Sequence, residues 1–194
     1  RDRSPSRGLG DVYKRQAHEE GTPVMRPMVF EFMNDPAVPY LDQQYMLGDA
    51  LMVAPVFRED KVAQYYLPEG TWTELLTGET KEGGRWYQGT YDYFSMPLYV
   101  RENSIVVRGN CDTKPDYDYA DHATVCVYQL KDAAETKVPD IHGNNVFTVK
   151  AVKDGDTVKV SVEGAHTELK VEVFVGNEKK EAVLAADASE VVVA

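Results

Sequence analysis

The sequence lacks most of the features that mark disulfide-rich, membrane and glycosylated proteins. Among its 194 residues there are only two cysteines, Cys111 and Cys126, and their spacing matches neither a metal motif nor a redox pair. No apolar run approaches the roughly 20 residues that span a bilayer. No N-x-[ST] glycosylation acceptor is present. These absences favour a cytoplasmic protein with no membrane partner.

Basic residues are also scarce. Lys and Arg number 21 against 32 Asp and Glu, which gives a formal net charge of −11 and a pI near 4.8. An acidic surface repels phosphate backbones and anionic lipids, so a nucleic acid partner is not expected. The sequence contains no P-loop, no G-x-G-x-x-G and no G-x-S-x-G, and we expect no cofactor.

The four histidines do not form a metal motif. His18, His122, His142 and His166 are far apart in the sequence, and none has a ligand partner four residues away. Zinc sites usually take some of their ligands from such close spacings. Solvated loop histidines are therefore the favoured interpretation, and no metal site is predicted.

The first sixteen residues, RDRSPSRGLGDVYKRQ, differ from everything that follows. They carry five basic and two acidic residues, and the remainder of the chain has a net charge of −14. They show neither a helical nor a strand period. We expect residues 1–16 to be a non-native or disordered leader, with a native basic tail as the alternative.

The rest of the chain has the pattern of a β protein. Val24–Phe32, bounded by prolines, is predicted to be a buried strand. From residue 60 onward, short alternating runs are separated by turn signals about every 8 to 12 residues, as in sandwiches and barrels. The polar stretch 109–120 is a candidate domain joint. Asp154-Gly155, between two alternating runs, predicts a hairpin in which both central residues have a positive φ.

Asp49 is the carboxylate that most invites a catalytic interpretation. It follows Gly48 and precedes the apolar run ALMVAPVF. A glycosidase needs a second carboxylate about 5 to 10 Å away, whereas Gly-Asp before a strand is equally typical of a tight turn. From the residues alone we favour the turn.

Two other features have a structural and a functional interpretation. Arg26, inside an apolar run, requires a buried partner, for which Glu31 and Asp49 are the candidates. A group of aromatic residues either fills a core or offers a sugar-stacking platform, and the core is favoured. The group comprises Trp72, Trp86, Tyr87, Tyr91, Tyr93 and Phe94.

Four blocks in a fixed order resemble the C-terminal part of glycoside hydrolase family 31, which contains α-glucosidases and α-xylosidases. The blocks are GTPVMRPMVFEFMNDP, YMLGDALMVAPVF, YYLPEGTWTELLTGETKEGGRWY and MPLYVRENSIV. The later stretch GNCDTKPDYDYADHATVCVYQLKD resembles the distal domain of the bacterial α-xylosidase branch. The resemblance covers about residues 17–176.

The resemblance implies a mainly β fold of two tandem antiparallel β-sandwiches after the last strand of a truncated (β/α)8 barrel. Residues 17–38 would end the catalytic barrel, 39–108 would form the proximal sandwich and 109–194 the distal sandwich. Asp49 then matches a turn entering the proximal sandwich.

The resemblance also implies which part of the enzyme this chain represents. In the family, an aspartate nucleophile, an aspartate acid/base and a substrate-binding histidine all precede residue 17, so no catalytic, cofactor-binding or metal-ligating residue can be assigned to this chain. The expected function is that of the non-catalytic portion of a retaining glycosidase, which acts on terminal α-xylosyl residues through its barrel. A homo-oligomeric parent is left open as an alternative to a monomer. An α-glucosidase of the same family or a stand-alone carbohydrate-binding sandwich is the alternative.

Overall fold

The computed structural model describes residues 21–111, 113, 117–140 and 144–194, and the backbone there is mainly β. Its contacts divide this part of the chain into a first unit, residues 23–102, and a second unit that begins at residue 103. The predicted leader, residues 1–16, lies outside the described residues. No helix among the described residues is long and apolar enough to cross a membrane.

The first unit contains eight strands and two short helical segments. In chain order these are β1 (Met25–Pro27), α1 (Met28–Glu31), a 3₁₀ turn (Val38–Tyr40), β2 (Tyr45–Leu47), β3 (Leu51–Val53), β4 (Val62–Leu67), β5 (Thr71–Glu74), β6 (Thr80–Glu82), β7 (Arg85–Thr90) and β8 (Leu98–Arg101). Six strands form one sheet in the order β1-β2-β3-β8-β5-β6, and β4 pairs with β7 in a second sheet. Every pairing is antiparallel.

The prediction that Val24–Phe32 is one strand is wrong. Strand β1 ends at Pro27, and the next four residues form the single helical turn α1, which closes with a hydrogen bond from the Phe32 N–H to the Met28 carbonyl. Pro27 has no N–H to donate, and its φ of −59° suits the residue that precedes a helix. A short apolar run does not by itself distinguish a strand from a helical turn.

The first strand of this unit is paired within the unit. Strand β1 pairs with β2 in register Arg26 to Met46, although the sequence analysis assigns it to a barrel. Met28 is fully buried in the core of this unit, beside Trp72, Tyr65 and Tyr99. Membership of residues 24–32 in a barrel stays a prediction.

The second unit consists of two four-stranded sheets. Its strands are β9 (Ser104–Arg108), β10 (Thr124–Tyr128), β11 (Ala133–Pro139), β12 (Asn145–Asp154), β13 (Thr157–Gly164), β14 (Leu169–Val175), β15 (Glu178–Leu184) and β16 (Glu190–Val193). The sheet orders are β15-β14-β10-β9 and β11-β12-β13-β16. Strand β9, which the sequence analysis places in the proximal domain, pairs with β10.

The core of the second unit is made mainly of valines on alternate strand positions. Val149, Val160 and Val171 are fully buried, and each comes from a different strand. This burial of one face of each strand is typical of sheets that pack on each other. The predicted mainly β architecture is confirmed. One pairing departs from the antiparallel expectation, because β10 and β14 run parallel.

The predicted hairpin joins β12 to β13, but its turn differs from the expected one. Asp154 pairs with Thr157, so the two central residues are Gly155 and Asp156. Of these two, only Gly155 has a positive φ, +57°. That is the pattern of a type II′ turn rather than type I′.

Two glycine-containing turns carry the chain between the sheets of the first unit. Strands β4 and β5 are joined through Pro68-Glu69-Gly70, and β6 and β7 through Gly83-Gly84. The Gly83 N–H donates to the Gly70 carbonyl at 2.7 Å, and the Gly84 N–H donates to the Leu67 carbonyl at 2.7 Å. The two turns are therefore hydrogen-bonded to each other.

Gly83→Ala is expected to destabilise the first unit. A Cβ atom at Gly83 would lie 1.7 Å from the Pro68 carbonyl oxygen, so the backbone must move. We expect a loss of about 2–4 kcal/mol in the free energy of unfolding, measured by urea denaturation. Gly84→Ala is the control, since its Cβ meets nothing within 4 Å and only its positive φ is penalised, by about 1–2 kcal/mol. Equal losses in the two variants would contradict the close contact.

Candidate functional site

Asp49 lies in the turn that joins β2 to β3. Leu47 pairs with Leu51, so Gly48, Asp49 and Ala50 form the loop of a hairpin. Gly48 has a φ of +65°, a conformation that glycine adopts without a steric penalty. The Gly48 and Ala50 side of the loop is buried while Asp49 is exposed to solvent. The turn interpretation of Asp49 is confirmed.

Arg26 has Glu31 as its partner and not Asp49. The Arg26 guanidinium contacts Glu31 Oε1 at 2.5 Å, and Arg101 approaches Glu31 Oε2 at 3.6 Å. The Arg26 and Glu31 side chains are only 6% and 17% exposed. The Arg26 Nε–H also donates to the Pro23 carbonyl at 2.9 Å. This ion pair connects β1 to α1, and it satisfies a buried charge rather than presenting one to a ligand.

Asp49→Asn is expected to change stability by no more than about 0.5 kcal/mol, as for other exposed surface positions. This is less than the roughly 1 kcal/mol that a charge-assisted turn contact would contribute. Glu31→Gln is the matched comparison and should cost about 1.5–3 kcal/mol, because it weakens a charged hydrogen bond to the buried Arg26. Urea unfolding at pH 7 measures both changes in the free energy of unfolding. A larger loss for Asp49→Asn than for Glu31→Gln would contradict the assignment.

The six aromatic residues singled out in the sequence do not share one environment. Trp72 is 1% exposed in the core, and its indole N–H donates to the Pro68 carbonyl at 2.8 Å. Tyr87 and Tyr91 pack against that core. Trp86, Tyr93 and Phe94 are exposed by 56%, 96% and 89%. The core interpretation is therefore right for Trp72, Tyr87 and Tyr91. It is wrong for Trp86, Tyr93 and Phe94.

The exposed aromatics are not arranged as a flat platform. Tyr93 and Phe94 meet edge to face, with an interplanar angle of 78° and a centroid separation of 5.9 Å. Trp86 contacts Tyr66 at a tilt of 57°. A sugar chain that stacks on two rings needs their faces to point the same way. This geometry gives no support to a two-ring sugar-stacking surface.

A lysine surrounded by tyrosines lies beside the core of the first unit. Lys81, on β6, donates to the hydroxyl oxygens of Tyr65 and Tyr99 at 3.0 and 2.7 Å. Its ammonium group is also 5.1–5.7 Å from the ring centroids of Tyr65, Tyr87 and Tyr99, within the range of cation–π attraction. The Tyr91 hydroxyl donates to the Tyr65 hydroxyl at 3.1 Å.

Burial and the neighbouring Tyr65 hydroxyl raise the pKa values of Tyr91 and Tyr99 above the usual range of a phenol. These two phenols therefore stay protonated near neutral pH and are poor general bases. The cluster around Lys81 ties edge strand β6 to β4 and β8, which is a structural role.

A second charged cluster lies on the sheet that contains β14 in the second unit. Glu172 is 5% exposed. One of its oxygens accepts from Arg108 at 2.6 Å, and the other lies 3.1 Å from the Lys170 ammonium. Lys179 approaches at 3.7 Å. Burial raises the pKa of Glu172, but the Lys170 hydrogen bond and the charges of Arg108 and Lys179 outweigh it, and the pKa is lowered overall.

Glu181 lies opposite Glu172 in the β14–β15 ladder and shares both lysines with it. The hydrogen bond from Lys179 and the charge of Lys170 lower the pKa of Glu181 as well. A retaining glycosidase needs one of its two carboxyl groups kept protonated at a raised pKa, so that it can act as an acid. Here both carboxylates are stabilised as anions, so the pair lacks the division of roles that catalysis requires.

Two more carboxylates with lowered pKa values stabilise loops in the first unit. The Arg58 hydrogen bonds lower the pKa of Asp60, and the Ser95 hydroxyl and the Phe94 N–H lower that of Asp92. Both side chains lie at the surface. These groups accept hydrogen bonds as anions and are not candidate acids.

Glu172→Gln should destabilise the second unit and reduce its pH dependence. The folded pKa of Glu172 is depressed, so its stabilising contribution is present above the unfolded value of about 4.3 and is lost as pH falls through the folded pKa. We expect the variant to lose about 1–3 kcal/mol at pH 7 and less at pH 3.

The control is Glu163→Gln, an exposed glutamate on β13. It should change stability little at either pH. Urea unfolding at both pH values is the measurement, and a Glu172→Gln loss that is the same at pH 3 and pH 7 would contradict the assigned charge pairing.

The histidines and cysteines of the described residues do not form a metal-binding group. His122 is exposed and contacts Asp121 at 2.7 Å, whereas the ring nitrogens of His166 contact the carbonyls of Thr167 and Ala188. His18 and His142 lie outside the described residues. Within the described part of the chain, no three His, Cys, Asp or Glu side chains are grouped as a metal ion would require.

Cys126 is fully buried, as predicted, and its thiol lies 3.6 Å from a Glu172 oxygen. Burial raises the pKa of this thiol to about 12. The thiol therefore stays protonated at neutral pH and is a poor nucleophile. Neither Cys111 nor Cys126 forms a disulfide.

Sequence reasoning missed both charged clusters. Glu172 lies between Val171 and Val173 in the run ELKVEVFVG, and a charged residue between apolar neighbours is what a surface position of an alternating strand shows. Its cationic partners Arg108 and Lys179 come from other strands of the sheet, and the sequence alone does not place them beside it. Lys81 has no local signal, since the two tyrosines that accept its hydrogen bonds, Tyr65 and Tyr99, are 16 and 18 residues away.

The described residues form two mainly β units, in which the carboxylates of Asp49, Glu31, Glu172 and Glu181 are either exposed or paired with cations. Comparison with known proteins identifies the family. Residues 21–106 match the glycosyl hydrolase family 31 C-terminal domain, and residues 118–194 match the C-terminal domain of alpha-xylosidase YicI. The chain belongs to glycoside hydrolase family 31, as its C-terminal region.

Curated relatives include an α-xylosidase and an α-glucosidase. Alpha-xylosidase XylQ of Lactiplantibacillus pentosus is 33% identical over 174 residues, which is 86% of this chain and 23% of XylQ. Alpha-glucosidase 2 of Bacillus thermoamyloliquefaciens is 28% identical over 165 residues, 84% of this chain and 20% of that protein. The chain thus spans less than a quarter of the length of these relatives.

A solved structure supports the same relationship. The family 31 α-xylosidase of Xanthomonas citri superposes with a TM-score of 0.73 and 26% sequence identity, over 95% of this chain and 23% of the solved chain. The predicted relationship to the C-terminal region of family 31 is confirmed.

Proposed function

We propose that this chain is the non-catalytic C-terminal portion of a retaining family 31 glycosidase, and that its parent is an α-xylosidase. The proposal that the chain is non-catalytic rests on the exposure and ion pairing of its carboxylates. Asp49 is exposed in a turn, Glu31 is paired with Arg26, and Glu172 and Glu181 are held as anions by shared lysines. None of these groups forms an acid and nucleophile pair in a dry pocket, which retaining hydrolysis requires.

The proposal that the parent is an α-xylosidase rests on the second unit of this chain. Residues 118–194 match a domain described from an α-xylosidase, and XylQ is 33% identical against 28% for the α-glucosidase. These comparisons favour α-xylosyl over α-glucosyl substrates for the parent. In a retaining mechanism the parent would form a covalent glycosyl-enzyme on one carboxylate and hydrolyse it with the help of another.

In this proposal the chain acts as a scaffold. Each unit has its own buried core, and the ion pairs inside each unit neutralise charges that would otherwise oppose folding. A separately folded β region can stabilise the edge of a catalytic domain without contributing a reacting group. The substrate would then be bound by the part of the parent outside these residues.

The test compares the 194-residue chain with the full-length parent on 4-nitrophenyl α-D-xyloside and 4-nitrophenyl α-D-glucoside. We expect turnover only by the full-length protein, with the higher kcat/KM on the xyloside, because the carboxylates of this chain lack a raised-pKa partner. The control is an equimolar mixture of parent and chain, which should be no faster than the parent alone.

Turnover by the purified chain would overturn the scaffold assignment. A parent that prefers the α-glucoside would leave the family assignment in place and refute the α-xylosidase proposal. A parent inactive on both glycosides would refute the proposed glycosidase activity towards these substrate classes.

A further inference from the structure

Large exposed apolar side chains are distributed unequally between the two units. Those of the second unit are all valines, and none is more than 58% exposed: Val152, Val175, Val183 and Val192. The first unit exposes Met25, Val29, Phe30, Met33, Tyr40, Phe57, Leu76, Trp86, Tyr93 and Phe94. Both sets are drawn from residues 21–111, 113, 117–140 and 144–194. Exposed apolar side chains that lie close together mark an interaction surface, whereas scattered ones do not.

Three exposed aromatics lie on two neighbouring loops of the first unit. Tyr93 and Phe94, 96% and 89% exposed, are on the β7–β8 loop, and Phe57, 69% exposed, is on the β3–β4 loop. The loops are joined by two backbone hydrogen bonds, from the Tyr91 N–H to the Lys61 carbonyl and from the Ala54 N–H to the Pro97 carbonyl. We call Phe57, Tyr93 and Phe94 the aromatic tip.

The loop that carries Tyr93 and Phe94 is held in place by hydrogen bonds. Asp92 Oδ1 accepts from the Phe94 N–H at 2.9 Å and from the Ser95 hydroxyl at 2.7 Å, while the Asp92 N–H donates to the Ser95 hydroxyl oxygen at 2.9 Å. The two rings are thus presented to solvent by a fixed backbone. A fixed apolar protrusion loses little conformational entropy when it binds.

The Phe57 loop is built in the same way. Arg58 donates two hydrogen bonds to Asp60 at 2.9 and 2.5 Å, and Asp60 accepts from the Val62 N–H at 3.1 Å. Arg58 and Asp60 neutralise each other, and Asp92 is engaged within its own loop, while Glu59 and Lys61 are exposed on the Phe57 loop. The backbone next to Phe57 is therefore held by hydrogen bonds, as it is next to Tyr93 and Phe94.

We propose that the aromatic tip is a docking surface for the part of the parent polypeptide that lies outside these 194 residues. Tyr93 and Phe94 enter an apolar pocket of that part. Two observations favour this partner for the aromatic tip. The relatives are more than four times as long as the segment that this chain matches, and the perpendicular rings of Tyr93 and Phe94 fill a pocket better than they stack on a sugar chain. The inference rests on the proposed function, since it needs a parent with a further domain.

The test is hydroxyl-radical footprinting of the 194-residue chain and of the full-length parent, read by mass spectrometry and normalised with a free peptide dosimeter. We expect Phe57, Tyr93 and Phe94 to be oxidised at least fivefold more slowly in the parent. Tyr65, buried in the first unit, should react slowly in both proteins. Equal oxidation rates of the tip residues in the two proteins would overturn the proposal.

A double variant, Tyr93→Ser with Phe94→Ser, provides the energetic test. It should lower the Tm of the full-length parent by several degrees and leave that of the 194-residue chain unchanged, because the tip makes its stabilising contacts only in the parent. Val183→Ser, at a 58% exposed position of the second unit, is the matched control and should change neither Tm. An unchanged parent Tm in the double variant would contradict docking.

The same proteins distinguish the other occupants. Slower oxidation of the tip in the isolated chain when xyloglucan oligosaccharides are added would overturn the proposal in favour of a sugar site. Self-association of the chain that the double variant abolishes, seen by sedimentation velocity, would overturn it in favour of a second copy. Protection of the tip in a parent that hydrolyses neither glycoside would support docking while the proposed function fails.

Discussion

The second unit depends on the burial of alternate side chains along its strands. In the second unit, Phe147, Val149 and Ala151 of β12 are fully buried, while the residues between them face outward. Because the side-chain period of a strand is two, a slip of one residue would move this whole set to the solvent face. The apolar core therefore determines the register, and the register determines which polar residues become neighbours across strands.

The charged cluster around Glu172 follows from that register. Cys126 lies opposite Glu172 in the parallel β10–β14 ladder, and Arg108 on β9 reaches the same carboxylate. A carboxylate that is 5% exposed would be strongly destabilising without cations around it. The arrangement satisfies the charge and lowers its pKa, which is the opposite of what a catalytic acid needs. The position of this carboxylate in the sheet thus accounts for both its burial and its lowered pKa.

Local signals predicted some of this structure and could not predict the rest. The hairpin at Asp154-Gly155 and the Arg26–Glu31 pair depend on residues close together in the sequence. The helical turn after Pro27 was missed because a short apolar run is compatible with both states. The parallel β10–β14 pair and the Lys81–tyrosine cluster depend on distant residues. The exposure of Tyr93 and Phe94 was missed because aromatic character alone does not say whether a ring lies on a buried strand face or on a loop.

The central claim is that the reacting carboxylates of the parent enzyme lie outside this chain. It is tested most directly by trapping the glycosyl-enzyme in the full-length protein with 5-fluoro-α-D-xylopyranosyl fluoride and locating the labelled peptide by mass spectrometry. The account predicts a label on a peptide outside residues 1–194. A label on any carboxylate within these residues, including Asp49, would contradict it.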